Sequence, residues 1–370
     1  MRFICAGKQC KYNMVNDVSE NSFYQIAKLS PCISTENLGD YIIQDCCDQI
    51  FEEIFGHYLS IGIPTRERLS RGTRRKVAAS DYAFVCGTNL LASNMEHWKQ
   101  WNIGLPDALA IRFGDVRKRE LLRGTVLKQK YRDTHVILMG AGWFEYQGSP
   151  SRYTEKLLKI LLDENYLHSV RDRYTQEKLR SMGITNVVNT ACPTMWKLTE
   201  DFCRTIPVKK AGAVVATLTD YRVDPEADKA LLSCLLAHYD KVYVWLQSVQ
   251  DYAYLQELAM ADRVEIIPPT LKDYDAVLAQ PDLEYVGTRL HGGIRALNRG
   301  KRACILGVDN RALEIGRDTN LPVLDRNRVS AELETWIEEE RKTQIRLPVE
   351  NIRRWKEQFA SPANRPVRKE

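Results

Sequence analysis

Two hydrophobic patterns alternate along the first half of the chain. Residues 43–55 place apolar side chains at helical spacing, which predicts a helix with one buried face. The short apolar runs 82–86 and 136–139 predict buried strands, and each leads directly into a glycine-containing turn. Buried strands that alternate with helices are typical of an α/β protein with parallel sheets.

The second half of the chain starts the same alternation again. Apolar runs predict five further strands, at 213–216, 241–246, 264–267, 284–287 and 302–307. A polar stretch at 196–211 contains Pro207 and lacks periodicity, which indicates a linker between domains. A chain of 370 residues is long enough for two cores. We therefore expect Rossmann-like domains at 1–200 and 201–330, and a helical tail at 331–370 that packs back on the first domain.

The charge distribution adds information about possible partners. The net charge is only +5, but two groups of basic residues fall in the first half of the chain. They are Arg66, Arg68, Arg71, Arg74, Arg75 and Lys76, and Arg117, Lys118, Arg119, Arg123, Lys128 and Lys130. Each group alone is typical of a solvated surface, whereas two in one domain would also attract an anionic acceptor such as a diphosphate-linked lipid sugar. No nucleic-acid-binding motif accompanies them.

Cysteine spacing and hydropathy indicate the cellular compartment in which the protein is expected. The ten cysteines show no paired metal-ligand spacing, so structural zinc is not expected, and a reducing cytoplasm suits so many unpaired thiols. The first residues are too few and too polar for a signal peptide, and no run reaches the roughly 18 apolar residues of a membrane span. We expect a cytoplasmic protein whose membrane contact is at most peripheral, at the inner face.

The segment Thr288-Arg289-Leu290-His291-Gly292-Gly293 is the strongest candidate for a binding site. It lies at a predicted strand-to-helix turn, where glycine permits close approach of a ligand and the helix amino end favours an anion. Arg289 could hold a carboxylate or phosphate through two parallel hydrogen bonds. An arginine paired with a nearby acid and a histidine at a helix start would explain the same residues.

Three shorter segments are secondary candidates. Ser169-Val170-Arg171-Asp172 would place Arg171 at a strand end, and Asn37-Leu38-Gly39-Asp40 would precede a helix, although helix capping alone explains both aspartates. Gly140-Ala141-Gly142 lacks the third glycine of a dinucleotide fingerprint. The motifs of serine hydrolases, P-loop proteins and zincins do not occur in the sequence, which argues against those classes.

Taken in order along the chain, these motifs resemble the polysaccharide pyruvyl transferase family over about residues 37–325. The resemblance implies two Rossmann-like domains that face each other across a cleft, as in GT-B glycosyltransferases, with the acceptor on the first domain and the donor on the second. It also implies transfer of pyruvyl from phosphoenolpyruvate to a polysaccharide sugar or its lipid-linked precursor, with a pyruvate ketal and phosphate as products. Phosphoenolpyruvate is then a co-substrate, and neither a cofactor nor a metal is expected.

The resemblance also assigns roles to residues of this chain. It implies donor binding by Arg171, Arg289, Leu290, His291 and Gly292, and we expect Arg289 and His291 to be catalytic, His291 as the general acid. Where many family members have Asp-Pro, this chain has Cys192-Pro193. Further possible substrate-binding residues are Asn37, Gly39, Asp40, Gly87, Asn89, Gly140 and Gly142.

Two alternatives stay open at the level of sequence. One is a GT-B glycosyltransferase that uses a nucleotide sugar, and the other is a non-catalytic relative that binds sugar or phosphate. The acceptor sugar, the hydroxyl pair that is bridged, the ketal stereochemistry and the oligomeric state are not readable from the sequence. Acceptor loops are expected within residues 60–130, where basic charge is highest.

Overall fold

The structure is a computed structural model that describes residues 23–65, 70–95 and 135–360. The second basic group and most of the predicted acceptor loops lie outside these ranges. The first domain contains strands β1 (Tyr24–Ser30), β2 (Tyr58–Pro64), β3 (Tyr82–Cys86), β4 (His135–Met139), β5 (His168–Val170) and β6 (Val187–Asn189), and helices α1 (Leu38–Phe55), α2 (Arg71–Ala78), α3 (Arg152–Leu161) and α4 (Arg173–Ser181).

The remaining elements follow the first domain. The strands are β7 (Ala213–Thr217), β8 (Lys241–Trp245), β9 (Glu265–Ile267), β10 (Leu283–Gly287), β11 (Ala303–Gly307) and β12 (Val323–Asp325). The helices are α5 (Glu200–Cys203), α6 (Pro225–His238), α7 (Val249–Glu257), α8 (Leu271–Leu278), α9 (Leu290–Asn298), α10 (Asn310–Thr319), α11 (Val329–Glu338) and α12 (Val349–Glu357).

Both sheets are parallel. In the first domain the strand order is β2-β1-β3-β4, with a parallel β5-β6 pair linked to the end of β4 through a bridge between Ala141 and Val170. In the second domain the order β12-β11-β10-β7-β8-β9 is that of a Rossmann sheet, whose direction of winding reverses between β7 and β10. Ligands of such sheets bind at the carboxyl ends of the strands near this reversal.

Burial explains the strands that the sequence indicated. Every residue of β3, β10 and β11 is buried, as expected for parallel strands covered by helices on both faces. Helix α1 has Asn37 as its N-cap, whose side chain accepts a hydrogen bond from the Gly39 amide. The structure confirms the predicted α/β architecture of two parallel-sheet domains.

The two domains contact each other through α1 and through loops at the sheet edges. The Leu38 amide donates to the Gln247 carbonyl across the junction at 3.3 Å. An ion pair joins Arg295 of α9 to Asp45 of α1 at 3.0 Å. These contacts place the carboxyl edge of one sheet opposite that of the other, so the domains face each other across a cleft.

The segment after β12 is divided between the domains. Helix α11 packs against α6 of the second domain, with Leu333 and Ile337 in that core. Helix α12 packs on the first domain, where Trp355 and Phe359 form aromatic contacts with Phe84. No helix in the described ranges is long and apolar enough to cross a lipid bilayer.

Candidate active site

A cavity of about 750 Å³ lies between the two domains at the carboxyl ends of both sheets. A small recess of about 20 Å³ adjoins it, since Asn37, Tyr221, Arg289 and Arg311 line both. The recess is also lined by His291 and Leu290 at the start of α9. Its place beside the β7–β10 reversal is where a Rossmann sheet binds its ligand.

Arg289 lies at this point but is engaged in internal contacts. Its Nε donates to the Leu218 carbonyl at 2.8 Å, and its Nη2 donates to Asp220 at 2.8 Å and to Asp251 at 2.5 Å. Only 4% of Arg289 is exposed. Two carboxylates therefore offset one guanidinium, so this cluster does not favour an anion. Nε and Nη2 of Arg289 are thus engaged within the second domain, and donor binding by this arginine stays a prediction.

His291 lies in a positively charged environment. Burial, followed by the charges of Arg311 and Arg171, lowers the pKa of His291 to about 3, and Asp309 opposes this only in part. The imidazole is consequently neutral near pH 7 in the ligand-free protein. Burial is the largest cause of this lowered pKa, and the charges of Arg311 and Arg171 add to it.

Arg311 is the cationic side chain that the sequence motifs did not indicate. It follows β11 in the first turn of α10, lines both the cavity and the recess, and pairs with Asp309 through Nε at 2.9 Å. Although burial opposes it, Arg311 holds the pKa of Asp309 below its ordinary value. Its Nη2 donates to the Tyr221 hydroxyl at 2.5 Å. One carboxylate offsets Arg311, against two for Arg289, although Nε and Nη2 of Arg311 are likewise engaged, by Asp309 and the Tyr221 hydroxyl.

Arg171 lies on the first-domain side of the same region. Its Nε donates to Asp172 at 3.1 Å, and its guanidinium lies directly over the backbone of Gly142, where a methyl group would overlap it. It is 2% exposed and lines neither the cavity nor the recess. Its charge nevertheless contributes to the lowered pKa of His291. Arg171 therefore acts on the site through its electric field and lies near Arg311 rather than opposite Arg289.

Cys192 completes the surroundings of His291. Its Sγ lies 3.8 Å from His291 Nε2, and the Thr194 hydroxyl donates to the same sulfur at 3.1 Å. Burial raises the pKa of Cys192, so the group is a thiol near pH 7. Cys192, which precedes Pro193, thus lies beside the imidazole.

Comparison with known families decides the assignment of the chain. The family model described as polysaccharide pyruvyl transferase matches residues 37–310, which is more than two thirds of the chain. The chain belongs to this family. The matched range contains Arg171, Cys192, Arg289 and His291 and ends one residue before Arg311. Membership indicates a transferase that acts on polysaccharides. No curated protein matches the chain.

Solved structures show distant likenesses to this family member. A UDP-N-acetylglucosamine 2-epimerase from Listeria monocytogenes is 12% identical with a TM-score of 0.43, covering 86% of this chain and 91% of that one. Arabidopsis thaliana UGT89C1 complexed with UDP-L-rhamnose is 10% identical with a TM-score of 0.39, covering 91% and 93%. A UDP-GlcNAc 2-epimerase from Neisseria meningitidis is 12% identical with a TM-score of 0.36, covering 85% and 94%. These likenesses bear on neither ligand nor reaction.

The predicted site residues of this pyruvyl transferase family member fall into two groups. Asn37, Gly39, Asn89, Leu290 and His291 line the cavity or the recess, together with Arg289. The other predicted residues, Asp40, Gly87, Gly140, Gly142, Arg171 and Gly292, line neither.

The second group has structural contacts instead. Gly140 adopts φ +64° and packs so closely against Pro193 that a side chain there would overlap the proline ring. Asp40 accepts a hydrogen bond from the Thr35 hydroxyl at 2.9 Å. The Gly292 carbonyl accepts from Tyr274 at 2.8 Å, inside the second domain. These positions shape the site without facing its cavity.

A second cavity, of about 760 Å³, lies away from the cleft. It is lined by α5 and by residues 342–347, which connect α11 to α12. No strand end of either sheet contributes to it, so we place the chemistry in the interdomain cleft. Among residues 23–65, 70–95 and 135–360, no three His, Cys, Asp or Glu side chains form a group suited to a metal ion.

Proposed function

We propose that this protein transfers a pyruvyl group from phosphoenolpyruvate to a sugar of a polysaccharide or of its lipid-linked precursor. The products would be a pyruvate ketal and phosphate. The observation that carries the proposal is that His291 and Arg311 line the same recess at the interdomain cleft. An imidazole beside a guanidinium suits a small anion, and family membership supports a pyruvyl donor.

Phosphoenolpyruvate carries a phosphate and a carboxylate, and the second domain offers two features for them. Arg311 lines the cavity and pairs with one carboxylate, so its guanidinium can bind an anionic oxygen of the donor. The start of α9 has no side-chain cap from Arg289, and its first residues Leu290 and His291 line the recess, where the positive end of the helix dipole favours an anion. The charge of Arg171 also lowers the pKa of His291.

His291 is the proposed general acid, but its low pKa means that it must first become protonated. A neutral imidazole cannot supply a proton, so the acid form must arise when the donor binds. The negative charges of bound phosphoenolpyruvate would offset the positive charges of Arg311 and Arg171, which would raise the pKa of His291. Donor binding would thus cause His291 to take up the catalytic proton, so the protonated imidazole would be present only when the donor is bound.

The reaction then follows in balanced steps. A proton is added to the methylene carbon, the adjacent carbon becomes oxocarbenium-like, and one sugar hydroxyl attacks it and loses its own proton. The C–O bond to phosphate breaks and hydrogen phosphate leaves with the bonding electron pair. A second sugar hydroxyl attacks the same carbon and loses its proton, which closes the ketal. Of the two hydroxyl protons, one leaves on the hydrogen phosphate and the other replaces the proton given to the methylene carbon. The cationic surroundings of His291 would stabilise the departing phosphate.

Arg289 is assigned a supporting role in this scheme. Its contacts with Leu218, Asp220 and Asp251 join the segments that follow β7, β8 and β10, the three strand ends that form the donor side of the cleft. These contacts of Arg289 hold the start of α9, and hence His291, in position.

Release of phosphate from phosphoenolpyruvate in the presence of a panel of sugar acceptors tests the function. We expect acceptor-dependent release by the wild-type protein and its loss in His291→Ala and Arg311→Gln, with all proteins folded by circular dichroism. Undiminished release by His291→Ala would remove His291 from the mechanism. Thermal stabilisation by UDP or GDP sugars and not by phosphoenolpyruvate would favour a nucleotide-sugar glycosyltransferase instead.

A further inference from the structure

Gln247 lies just after β8 and lines the recess together with His291. Its backbone is held from both domains. Its amide donates to Asp251 at 2.8 Å, and its carbonyl accepts from the Leu38 amide of the first domain at 3.3 Å. A side chain whose backbone is fixed in this way is placed before a ligand arrives, which lowers the entropic cost of binding.

The side-chain amide of Gln247 has unused hydrogen-bonding capacity. Gln247 is only 1% exposed, and its Nε2 forms no hydrogen bond within the described part of the chain. Buried amide groups are nearly always paired, because an unpaired one loses its hydration without replacement. An unpaired amide beside a recess therefore points to a ligand that supplies the missing acceptor.

Gly39 leaves a small space free in front of this amide. A methyl group built on Gly39 would lie 3.5 Å from Gln247 Oε1 and 3.5 Å from His291 Nδ1. Asn37 Oδ1 lies 3.1 Å from the same position but already accepts from the Gly39 amide. The recess that Gly39 lines measures about 20 Å³, which is sufficient for one water-sized group, such as a single ligand oxygen.

An oxygen in this space could accept two hydrogen bonds. When the Cys192 thiol donates to Nε2 of His291, the ring proton lies on Nδ1 and can be donated to the oxygen. The terminal torsion of a glutamine side chain is broad and roughly two-fold, so Nε2 of Gln247 can turn to the position of Oε1 and donate as well. Arg311 also lines the recess, so an anionic oxygen suits the space better than a neutral one.

We propose that Gln247 is a donor-specificity residue, whose side-chain amide and His291 Nδ1 together bind one anionic oxygen of the donor in the recess. The inference rests on the proposed function, which makes phosphoenolpyruvate the donor. Binding at this point would pair the Gln247 amide and orient the donor against His291. A carboxylate oxygen and a phosphate oxygen share the required chemistry.

Isothermal titration calorimetry with phosphoenolpyruvate, in the absence of any acceptor, tests this role without turnover. Gln247→Met keeps the length of the side chain and removes the amide, whereas Gln247→Glu keeps the shape and adds negative charge. Gln44→Met is the matched control. Gln44 also has a buried amide atom, Oε1, without a partner in the described ranges, but it lines neither the cavity nor the recess.

We expect the dissociation constant of phosphoenolpyruvate to rise roughly tenfold in Gln247→Met and roughly a hundredfold in Gln247→Glu, and to stay unchanged in Gln44→Met. The melting temperature of Gln247→Met should not fall, because the substitution removes an unpaired buried amide. A residue with a purely structural role would lose stability and keep its effect on the donor small. Wild-type affinity in Gln247→Met, or an equal loss in Gln44→Met, would overturn the proposal.

Gly39→Ala tests the same space from the other domain. The added methyl would fill the point between Gln247 and His291, and only the Asn37 side chain must give way, by a few tenths of an ångström. Alanine is a better helix former than glycine, so α1 should remain intact by circular dichroism. We expect donor affinity to fall at least roughly tenfold. Unchanged affinity would show that no donor atom enters this space, which contradicts the proposal.

Competition by inorganic phosphate and by pyruvate identifies the oxygen that Gln247 binds. A selective loss of phosphate affinity in Gln247→Met assigns the phosphate group, and a selective loss of pyruvate affinity assigns the carboxylate. Both outcomes support the proposal. Absence of phosphoenolpyruvate binding to the wild type would count against the proposed function and this inference together, whereas equal binding by the wild type and Gln247→Met would overturn the role of Gln247 alone.

Discussion

Cys192 Sγ lies 3.8 Å from His291 Nε2, at the junction between the two domains. The Thr194 hydroxyl donates to this sulfur, so the thiol hydrogen is free to point at the imidazole. A thiol that donates to Nε2 makes Nε2 the acceptor and places the proton of the neutral ring on Nδ1. Nδ1 is the ring nitrogen beside Gly39, which lines the recess. In this arrangement a neutral thiol orients the proposed general acid, at a position where the family resemblance has aspartate in many members.

Substitution of Cys192 should alter the protonation of His291. In Cys192→Asp a carboxylate would stand beside the imidazole and raise its pKa, so the pH range of phosphate release should shift upward. Cys192→Ser keeps a donor of similar size and should keep the wild-type pH profile, with kcat reduced less than in Cys192→Ala. The measurement is kcat and KM for phosphoenolpyruvate as a function of pH. Identical profiles for Cys192→Asp and the wild type would show that the contact does not influence His291.

Donor binding should be accompanied by proton uptake. His291 has a pKa of about 3 in the free protein, and the charges of bound phosphoenolpyruvate should raise it. Near neutral pH the complex should therefore take up as much as about one proton. Isothermal titration calorimetry in buffers of different ionisation enthalpy measures this uptake, and His291→Gln should reduce it. Equal uptake by the wild type and His291→Gln would assign the proton to another group.

The same lowered pKa predicts how stability depends on pH. Native His291 stays neutral down to about pH 3, whereas the unfolded chain protonates this histidine below about pH 6.5. The unfolded state binds more protons between these values, so stability falls as the pH decreases through this window. Near pH 4.5 the wild type should have lost about 2 kcal/mol from this source relative to neutral pH. Urea unfolding of His291→Gln at both pH values should show a correspondingly smaller decrease.

Substitution of Arg289 should mainly lower the stability of the protein, whereas substitution of Arg311 should mainly weaken donor binding. Arg289→Met leaves the buried Asp251 without its cation and should lower the free energy of unfolding by roughly 3 kcal/mol. Arg311→Met removes a partner from the less buried Asp309 and should cost about 1 kcal/mol, while it weakens phosphoenolpyruvate binding by at least roughly tenfold. Denaturant titration and donor titration on both variants provide the test. A larger loss of donor affinity in Arg289→Met than in Arg311→Met would indicate that Arg289 binds the donor.

Much of the architecture could be predicted from the sequence because parallel strands are buried on both faces. The run at 82–86 is uninterrupted and apolar for this reason, as are residues 303–307 of the predicted strand 302–307, and both are strands. The turn at 288–293 was also predicted correctly as a strand-to-helix junction, which brings His291 to the cleft. The local sequence pattern was sufficient to predict strands and turns where burial of neighbouring residues determined the structure.

The partners of charged side chains could not be read in the same way. Asp220 and Asp251 are distant from Arg289 in sequence and meet it only because β7, β8 and β10 end at the same edge of the sheet. Arg311 belongs to no motif, and only the fold places its charge beside His291. An arginine at a strand end therefore indicates an anion site only when the structure shows which carboxylates already neutralise it.

Gly142 offers a test of Arg171 that leaves the arginine itself unchanged. A methyl group at Gly142 would overlap the Arg171 guanidinium, so Gly142→Ala must displace that charge from its observed position. We expect donor affinity to fall by roughly tenfold and the pKa of His291 to rise, because Arg171 contributes to its low value. Gly148→Ala is the matched control in the same loop, since no atom lies within 4 Å of the added methyl. Donor titration should show a loss in Gly142→Ala alone, and equal affinities for the two variants would mean that Arg171 is not needed in its observed position.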